Sequence, residues 1–157
     1  MKTSVQIEEF WRVFCEENSQ VNLNTPYQIW HFGIGRDDAE ELSNLVLQGK
    51  KTATASLVWE YKAKPEDAPV AGGYSVVTNF SGVPKCILQT TELRVLPFNE
   101  VDAEFAFDEG EGDQSLDYWR EIHWDYFSER CAEIGKEPDL EMPVICERFQ
   151  ILYPKNK

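Results

Sequence analysis

Residues 49–56, GKKTATAS, place two lysines directly before a run of hydroxyl and methyl side chains. Lysine is a compact cation that can hold a phosphate or a developing oxyanion, and it can act as a base when it is desolvated. The hydroxyls of Thr52, Thr54 and Ser56 alternate with two small alanines, which let a ligand or another backbone come close. Lys51 and this hydroxyl face are therefore candidate site residues. The structural alternative is a cation that stabilises a helix C-terminus, followed by an ordinary strand.

A second candidate lies in residues 108–115, DEGEGDQS, where acidic residues alternate with glycines. The glycines allow the backbone to turn a carboxylate inward, and Glu111 is favoured as a catalytic carboxylate because it lies between them. Glu109 is its rival. The alternative is a solvated loop in which Asp113 or Ser115 caps the next helix. The spacing does not complete a calcium-binding loop, so no metal is expected.

The other candidate ligand-contacting residues are aromatic, imidazole or guanidinium side chains from two regions: Tyr27, Trp30, Phe32, Trp119, Arg120 and His123. The first three lie in a segment rich in turn formers, where they either pack on the core or line a cleft. His123 follows Trp119 on an apolar helix face, where it is a hydrogen-bonded core residue or a catalyst with a switchable charge. Arg120, on the flank of that face, could reach a carboxylate or a phosphate.

Periodicity, capping residues and turn formers define the elements that position these residues. A Thr3–Gln6 capping box opens the first helix, Asp38 is the predicted N-cap of the second, and Gly49 ends it. The predicted elements are a helix over about 3–20, a loop over 18–38, a helix over 38–48, a strand over 52–61, a loop over 62–73, strands over 74–80 and 85–96, an acidic connection over 97–114, a helix over 115–134 and a strand over 142–153. This order predicts an α+β domain around a strongly curved sheet.

Two geometric expectations accompany this assignment. In a regular strand Lys51 and Thr54 point to opposite faces, so their joint action requires a kink or bulge near Lys51. On the long helix, Ile122 is expected to share the apolar face with Trp119 and His123.

Composition limits the possible partners. The chain has 15 basic and 28 acidic residues, a formal charge of −13, which excludes the broad basic surface that duplex DNA requires. A single nucleoside or an exposed base of single-stranded RNA remains possible. No segment reaches the roughly 18 apolar residues of a membrane span, and the four separated cysteines predict neither a zinc site nor disulfides, so a cytoplasmic protein is expected. The sequence contains no phosphate-binding or dinucleotide motif, and no cofactor is expected.

The segments GKKTATAS and EGEGDQSLDYWREIH together resemble the ASCH family. In the family pattern G-x-K-x-x-[ST]-x-[SR], the matching residues are Gly49, Lys51, Thr54 and Ser56. The Phe32-Gly33 pair and the CERF segment at 146–149 also match longer bacterial members. The resemblance covers about Trp30 to Tyr153, and Ser56 stands where many members carry arginine.

This resemblance implies a PUA-like fold, a small curved β-barrel flanked by helices, with residues 1–157 forming one domain and the N-terminal helix packed on it. Some small members resemble amidohydrolases that remove the acyl group from N4-acetylcytidine with a lysine, a threonine and a glutamate. These residues correspond to Lys51, Thr54 and Glu111, although the longer acidic loop here also offers Glu109.

Two functions follow as hypotheses. In the first, the protein hydrolyses an N-acyl amide on a pyrimidine nucleoside. Thr54 attacks the acyl carbon or positions a water to do so, Lys51 takes the proton and then stabilises the oxyanion, and Glu111 carries a proton to the leaving amine. In the second, it binds single-stranded RNA, either without catalysis or with weak ribonuclease activity. Tyr27, Trp30 and Trp119 then stack on an unpaired base while Lys51 contacts a phosphate. The sequence predicts no oligomeric state.

Overall fold

The computed structural model describes residues 3–155 and has an α+β architecture. Its helices and strands, in chain order, are α1 (Val5–Glu17), β1 (Tyr27–Trp30), α2 (Arg36–Leu47), β2 (Ala53–Leu57), β3 (Tyr74–Thr78), β4 (Pro84–Pro97), α3 (Ala103–Glu109), α4 (Leu116–Glu133) and β5 (Pro143–Tyr153). Short 3-10 turns occupy Val58–Tyr61, Pro65–Asp67 and Phe98–Glu100. The predicted fold class is confirmed.

The sheet is built on a long antiparallel ribbon formed by β4 and β5. β3 pairs with the first half of β4, and β1 adds to it in parallel, whereas β2 pairs with the first half of β5. The strand order is therefore β1-β3-β4-β5-β2, which leaves β1 and β2 as the edge strands. Register shifts at Ile87/Leu88 and Thr90/Glu92 interrupt the ribbon, and such bulges bend a sheet. Residues of both edge strands line one cavity, so the sheet curves round to bring its two edges to the same cleft.

Helix α1 covers one end of the sheet with its apolar face. Its residues Ile7, Trp11 and Phe14 are buried, and the Trp11 ring stacks on Tyr27 of β1 with the ring centroids 4.4 Å apart. Burial of a large apolar side chain contributes about 1.5–3 kcal/mol, so this face fixes the helix on the sheet. Ser4 caps the helix by accepting from the Ile7 amide, so the predicted Thr3 cap and the predicted extension to residue 20 are wrong.

The starts of α4 and α2 differ in how they are capped. Ser115 accepts from the Tyr118 amide and caps α4, one of the two predicted caps, while Asp113 accepts from the Ser115 amide instead. The predicted Asp38 cap of α2 is wrong, because the helix already begins at Arg36 after Gly35. Asp38 lies in its first turn, where a carboxylate stabilises the helix dipole.

Four further predictions need correction. The 18–38 segment contains strand β1, and the acidic connection contains helix α3. The predicted strand over 52–61 ends at Leu57, and residues 58–61 form a 3-10 turn. Ile122 is 36% exposed and does not share the buried face of α4.

No helix within residues 3–155 combines the length and hydropathy that a membrane span requires.

Candidate functional site

Lys51 lies in the short connection from α2 to β2. Gly49 adopts a φ of 78°, which ends the helix, and the amides of Lys50 and Lys51 both donate to the Leu45 carbonyl. The Thr52 amide then donates to the Asp108 carbonyl of α3 at 2.8 Å. Lys51 therefore precedes the strand, which begins at Ala53, so no bulge is required to direct its side chain toward α3. The side chain is buried, with 1% exposure.

The ammonium of Lys51 is held by two glutamates. Its Nζ lies 2.9 Å from Glu109 Oε1, 3.3 Å from the Glu109 carbonyl oxygen and 2.8 Å from Glu111 Oε2. These acceptors match the three donors of an ammonium group. The Nζ atom also lies 5.3 Å from the centroid of the Phe32 ring, within cation–π range. A ligand must therefore replace one acceptor to reach the ammonium, and Glu111, whose side chain is 15% exposed, is the more accessible one.

Glu109 is the centre of this buried network, which we call the Lys51 cluster: Lys51, Glu109, Glu111, Trp119 and His123. Its second oxygen accepts from the Trp119 indole nitrogen at 2.5 Å and lies 3.2 Å from His123 Nε2. His123 Nδ1 lies 2.9 Å from the Trp119 carbonyl oxygen, and the two rings stack with centroids 4.2 Å apart. Glu109 itself has no solvent exposure, so each of its polar contacts is made inside the protein.

Two glycines allow the glutamates to reach the lysine. Gly110 ends α3 with a φ of 73°, and a Cβ atom there would lie 2.5 Å from the Lys50 carbonyl oxygen. Gly112 has a φ of 58°, and its Cβ would meet the Tyr118 ring at 2.4 Å. The glycines therefore permit close packing as well as the backbone turn that brings Glu111 over Lys51.

Burial and pairing act in opposite directions on the cluster. Burial alone would lower the pKa of Lys51, but the charges of Glu109 and Glu111 outweigh it and raise that pKa, so the amine is held as an ammonium. The pKa of Glu109 is lowered because Lys51 and His123 overcome its burial. Glu111 has a raised pKa, because burial and the charge of Glu109 exceed the attraction of Lys51. Burial opposes protonation of His123, but Glu109 raises its pKa overall.

One set of ligand atoms in the cluster has the spacing of a metal site. Atoms of Glu109, Glu111 and His123 lie within 4.8 Å of one another. Nζ of Lys51, however, is within hydrogen-bond distance of both carboxylates and supplies their positive partner. A cation bound to the same oxygens would face the ammonium at close range, so the chemistry of this donor set does not suit a metal.

Two cavities meet beside the cluster. The smaller, of about 290 Å³, is lined by Lys51, Glu109, Glu111 and His123. The larger, of about 560 Å³, lies between the two edge strands. Thr54 lines both cavities, and its hydroxyl has no hydrogen-bond partner among residues 3–155. An unpartnered hydroxyl therefore lies at the junction of a buried charge cluster and a ligand-sized cleft.

The structure separates the predicted ligand-contacting residues into three groups. Glu109 and His123 belong to the Lys51 cluster and line the smaller cavity. Trp30, Phe32 and Ser56 line the larger cavity, as does Tyr27, which is also stacked on Trp11 in the core.

Three other predicted residues line neither cavity. Trp119, at 2% exposure, offers no ring face to a base, and its indole positions Glu109. The Thr52 hydroxyl donates to the Asp108 carbonyl, and Arg120 is exposed and lines neither cavity. For these three residues the predicted contact with a ligand has no support in the geometry.

Several cleft residues were missed by the sequence analysis. Tyr61, Tyr126, Arg130 and Glu147 all line the larger cavity. Strand pairing is the signal that could have found one of them, since Glu147 lies opposite Thr54 in the β2–β5 register. The sequence analysis matched residues 146–149 to the CERF segment of the family but assigned no role to Glu147.

The curved sheet, the flanking helices and the lysine at the helix–strand corner define a PUA-like domain. The sequence pattern of the ASCH domain matches residues 28–153, and the chain belongs to the ASCH family. This confirms the resemblance seen in the lysine motif and the acidic loop. The ASCH domain is a PUA-like fold associated with RNA binding.

Solved structures extend this relationship over the whole chain. The ASCH domain from Lactobacillus crispatus JV V101 is similar at 32% identity and a TM-score of 0.88, with 98% of each chain covered. Protein EF3133 from Enterococcus faecalis V583 is also 32% identical, with a TM-score of 0.83 over 93% of this chain and 87% of that one.

A more distant likeness shows the fold alone: the hypothetical protein PH0355 is 20% identical, with a TM-score of 0.51 over 79% of this chain and 99% of that chain. No curated protein shows significant similarity to the chain.

Proposed function

We propose that this protein hydrolyses an N-acyl amide on a pyrimidine nucleoside of the N4-acetylcytidine type. One observation supports this most directly: the buried ammonium of Lys51, held by two carboxylates, lines the same cavity as the unpartnered hydroxyl of Thr54. Amide hydrolysis needs a nucleophile, a positive group for the developing oxyanion and a group that carries a proton to the leaving nitrogen. The site offers one candidate for each role.

Lys51 serves as the electrophilic group in this proposal. Its raised pKa keeps it charged, which argues against its use as the base and suits it to bind the acyl oxygen. Because its three donors are already paired, the acyl oxygen has to replace Glu111 on the ammonium. Glu109, which is fully buried, keeps Lys51 in place during this exchange.

Glu111 serves as the proton carrier. Once displaced from Lys51, its carboxylate takes the proton from the attacking hydroxyl, which is either that of Thr54 or that of a water positioned by Thr54. The C–O bond forms, the C–N bond breaks, and the nitrogen receives the proton from Glu111. In the Thr54 route a second cycle follows, in which water adds to the acyl ester and releases the free acid.

The cleft supports a small, neutral substrate over single-stranded RNA. The larger cavity is lined by Glu60, Glu66 and Asp67, and among residues 3–155 Arg130 is the one guanidinium in its lining. These acidic groups repel a phosphate backbone. RNA binding remains the second candidate because the family is associated with it and because Trp30 lies in the cleft. RNA binding predicts an association constant that falls steeply with added salt, whereas turnover of a neutral nucleoside is insensitive to salt.

The decisive experiment compares two threonines in an assay for release of cytidine from N4-acetylcytidine. Thr54→Val removes the unpartnered hydroxyl at constant shape, and we expect kcat to fall by about 10²-fold or more. Thr52→Val is the matched control, because Thr52 is exposed and lines neither cavity; we expect it to keep wild-type activity. Mass measurement of the protein during turnover detects an acyl ester on Thr54 if Thr54 is the nucleophile.

Wild-type activity in Thr54→Val would contradict the proposed chemistry. Absence of turnover in the wild type, together with salt-sensitive binding of short single-stranded RNAs, would favour the second candidate.

A further inference from the structure

Glu147 is a buried acidic residue that the proposed chemistry does not use. It lies on β5 directly opposite Thr54 of β2, a register that places side chains on one face about 5 Å apart at Cβ. It lines the larger cavity although the residue is only 6% exposed. A carboxyl group in this position needs a partner, because isolated polar groups are costly to bury.

Only half of this carboxyl group has a partner. The Thr90 hydroxyl donates to Glu147 Oε2 at 2.6 Å, and Thr90 itself is buried. Among residues 3–155, Oε1 has neither a hydrogen-bond nor an ion-pair partner. The group is thus fixed through one oxygen, and the other is left for a ligand in the cleft.

We infer that Glu147 selects the base of the substrate, with Oε1 forming a hydrogen bond to N3 of a cytosine-type ring. The inference rests on the proposed function, which supplies the pyrimidine, and adds to it the residue that distinguishes cytosine from uracil. The N3 atom of cytosine is an acceptor, whereas N3 of uracil carries a hydrogen. An O–H group at Oε1 donates a hydrogen bond to N3 of cytosine. The same O–H group would meet the N3 hydrogen of uracil, where no hydrogen bond can form.

The burial of Glu147 shifts its carboxyl group toward this acid form. Burial raises the pKa of the carboxyl group, although the Thr90 hydrogen bond and the charge of Lys51 oppose the shift. Because Thr90 donates to Oε2, that oxygen acts as the acceptor of the group, which leaves Oε1 as the oxygen that carries the proton in the acid form. The aromatic side chains of Trp30, Tyr61 and Tyr126 line the same cavity and provide surfaces for a flat ring.

The test measures equilibrium binding of free cytidine and free uridine by titration calorimetry, so it does not depend on hydrolysis. The wild type should bind cytidine about tenfold more tightly than uridine or better, since a site built to pair with one group rejects a ligand that leaves it unpaired. Glu147→Leu should bring the ratio of the two dissociation constants close to one. Glu147→Gln, whose amide can still donate to N3, should restore most of the preference. Glu141→Gln, an exposed glutamate before the same strand, is the matched control.

The outcomes distinguish this inference from the proposed function. A cytidine preference that depends on Glu147 supports the inference even if no acylated nucleoside is hydrolysed. Hydrolysis with an unchanged ratio in Glu147→Leu overturns the inference and leaves the proposed function standing. Equal binding of both nucleosides by the wild type, or binding of neither, also overturns it. If Glu147→Leu fails to fold, Thr90→Val decides, because loss of the fixing hydroxyl should reduce the preference.

Discussion

Replacement of Glu109 by glutamine should destabilise the protein strongly. The carboxylate has no solvent exposure and contacts the ammonium of Lys51, the indole of Trp119 and the imidazole of His123. An amide of the same shape removes the negative charge and leaves Glu111 as the one carboxylate that pairs with Lys51. Breaking a buried ion pair costs about 3–5 kcal/mol of unfolding free energy. In a domain of this size each kcal/mol corresponds to about 2–4 °C, so we expect Tm to fall by about 6–20 °C.

The pH dependence of this effect has a definite sign. The pKa of Glu109 is lowered in the folded state from its ordinary value of 4.5. Its contribution to stability is therefore fully present above pH 4.5 and is lost as the pH falls toward the folded-state pKa. The difference in unfolding free energy between wild type and Glu109→Gln should be largest near neutral pH and should narrow between about pH 5 and pH 3.

Urea denaturation followed by circular dichroism, repeated across this pH range, measures the difference directly. Glu104→Gln is the control, because Glu104 lies on the same helix but is exposed, and it should match the wild type throughout. A Glu109→Gln protein that melts within 2–3 °C of the wild type at pH 7, on the scale of about one kcal/mol, would refute the view that Glu109 holds the cluster together.

Three further predictions concern the same corner of the fold. His123 has a pKa raised above 6.5, so its pairing should stabilise the protein below that pH and lose its effect as the pH rises through the folded-state value. The gap in unfolding free energy between wild type and His123→Gln, measured in urea, should shrink from pH 6 to pH 9. Gly110→Ala should unfold at lower urea concentration than Gly49→Ala, because both have positive φ but only the first places a Cβ 2.5 Å from a carbonyl oxygen. Equal midpoints would contradict this. Lys51→Met should abolish deacylation while Lys50→Met, at an exposed position, retains it in the cytidine-release assay; activity in both would exclude the ammonium as the catalytic cation.

Much of the fold could be predicted because local chemistry and periodicity agreed with the final structure. The α2–β2 corner is an example, since Gly49 marks the helix end and alternation begins directly after it. Strand β1 was missed because it is four residues long, lies among turn formers and has no buried–exposed alternation. Helix α3 was missed for a different reason. Its sequence is short and acidic, and its buried face consists of Phe105, Ala106 and the charged Glu109, which no apolar pattern reveals.

The choice between the two glutamates shows a similar limit. Flanking glycines drew attention to Glu111, and this residue does contact Lys51. Glu109, however, makes more contacts within the cluster. Its burial is possible because Lys51 and His123, which lie 58 and 14 residues away in sequence, pair with its carboxylate. A carboxylate that would be solvated on its own becomes a buried anion when two cations are supplied by other elements. Such long-range pairing leaves no local signal in the sequence.

The local charge of the cluster also bears on the kind of ligand that can reach Lys51. With Lys51 and His123 protonated, their charges balance those of Glu109 and Glu111, so the cluster carries little net positive charge despite its lysine. A phosphate approaching Nζ would replace one anion while it faces the other at short range, and the acidic lining of the larger cavity adds to the repulsion. A neutral acyl oxygen avoids most of that repulsion and still gains a charge-assisted hydrogen bond as negative charge develops on it. The site thus favours a transition state that acquires charge over a ligand that already has it.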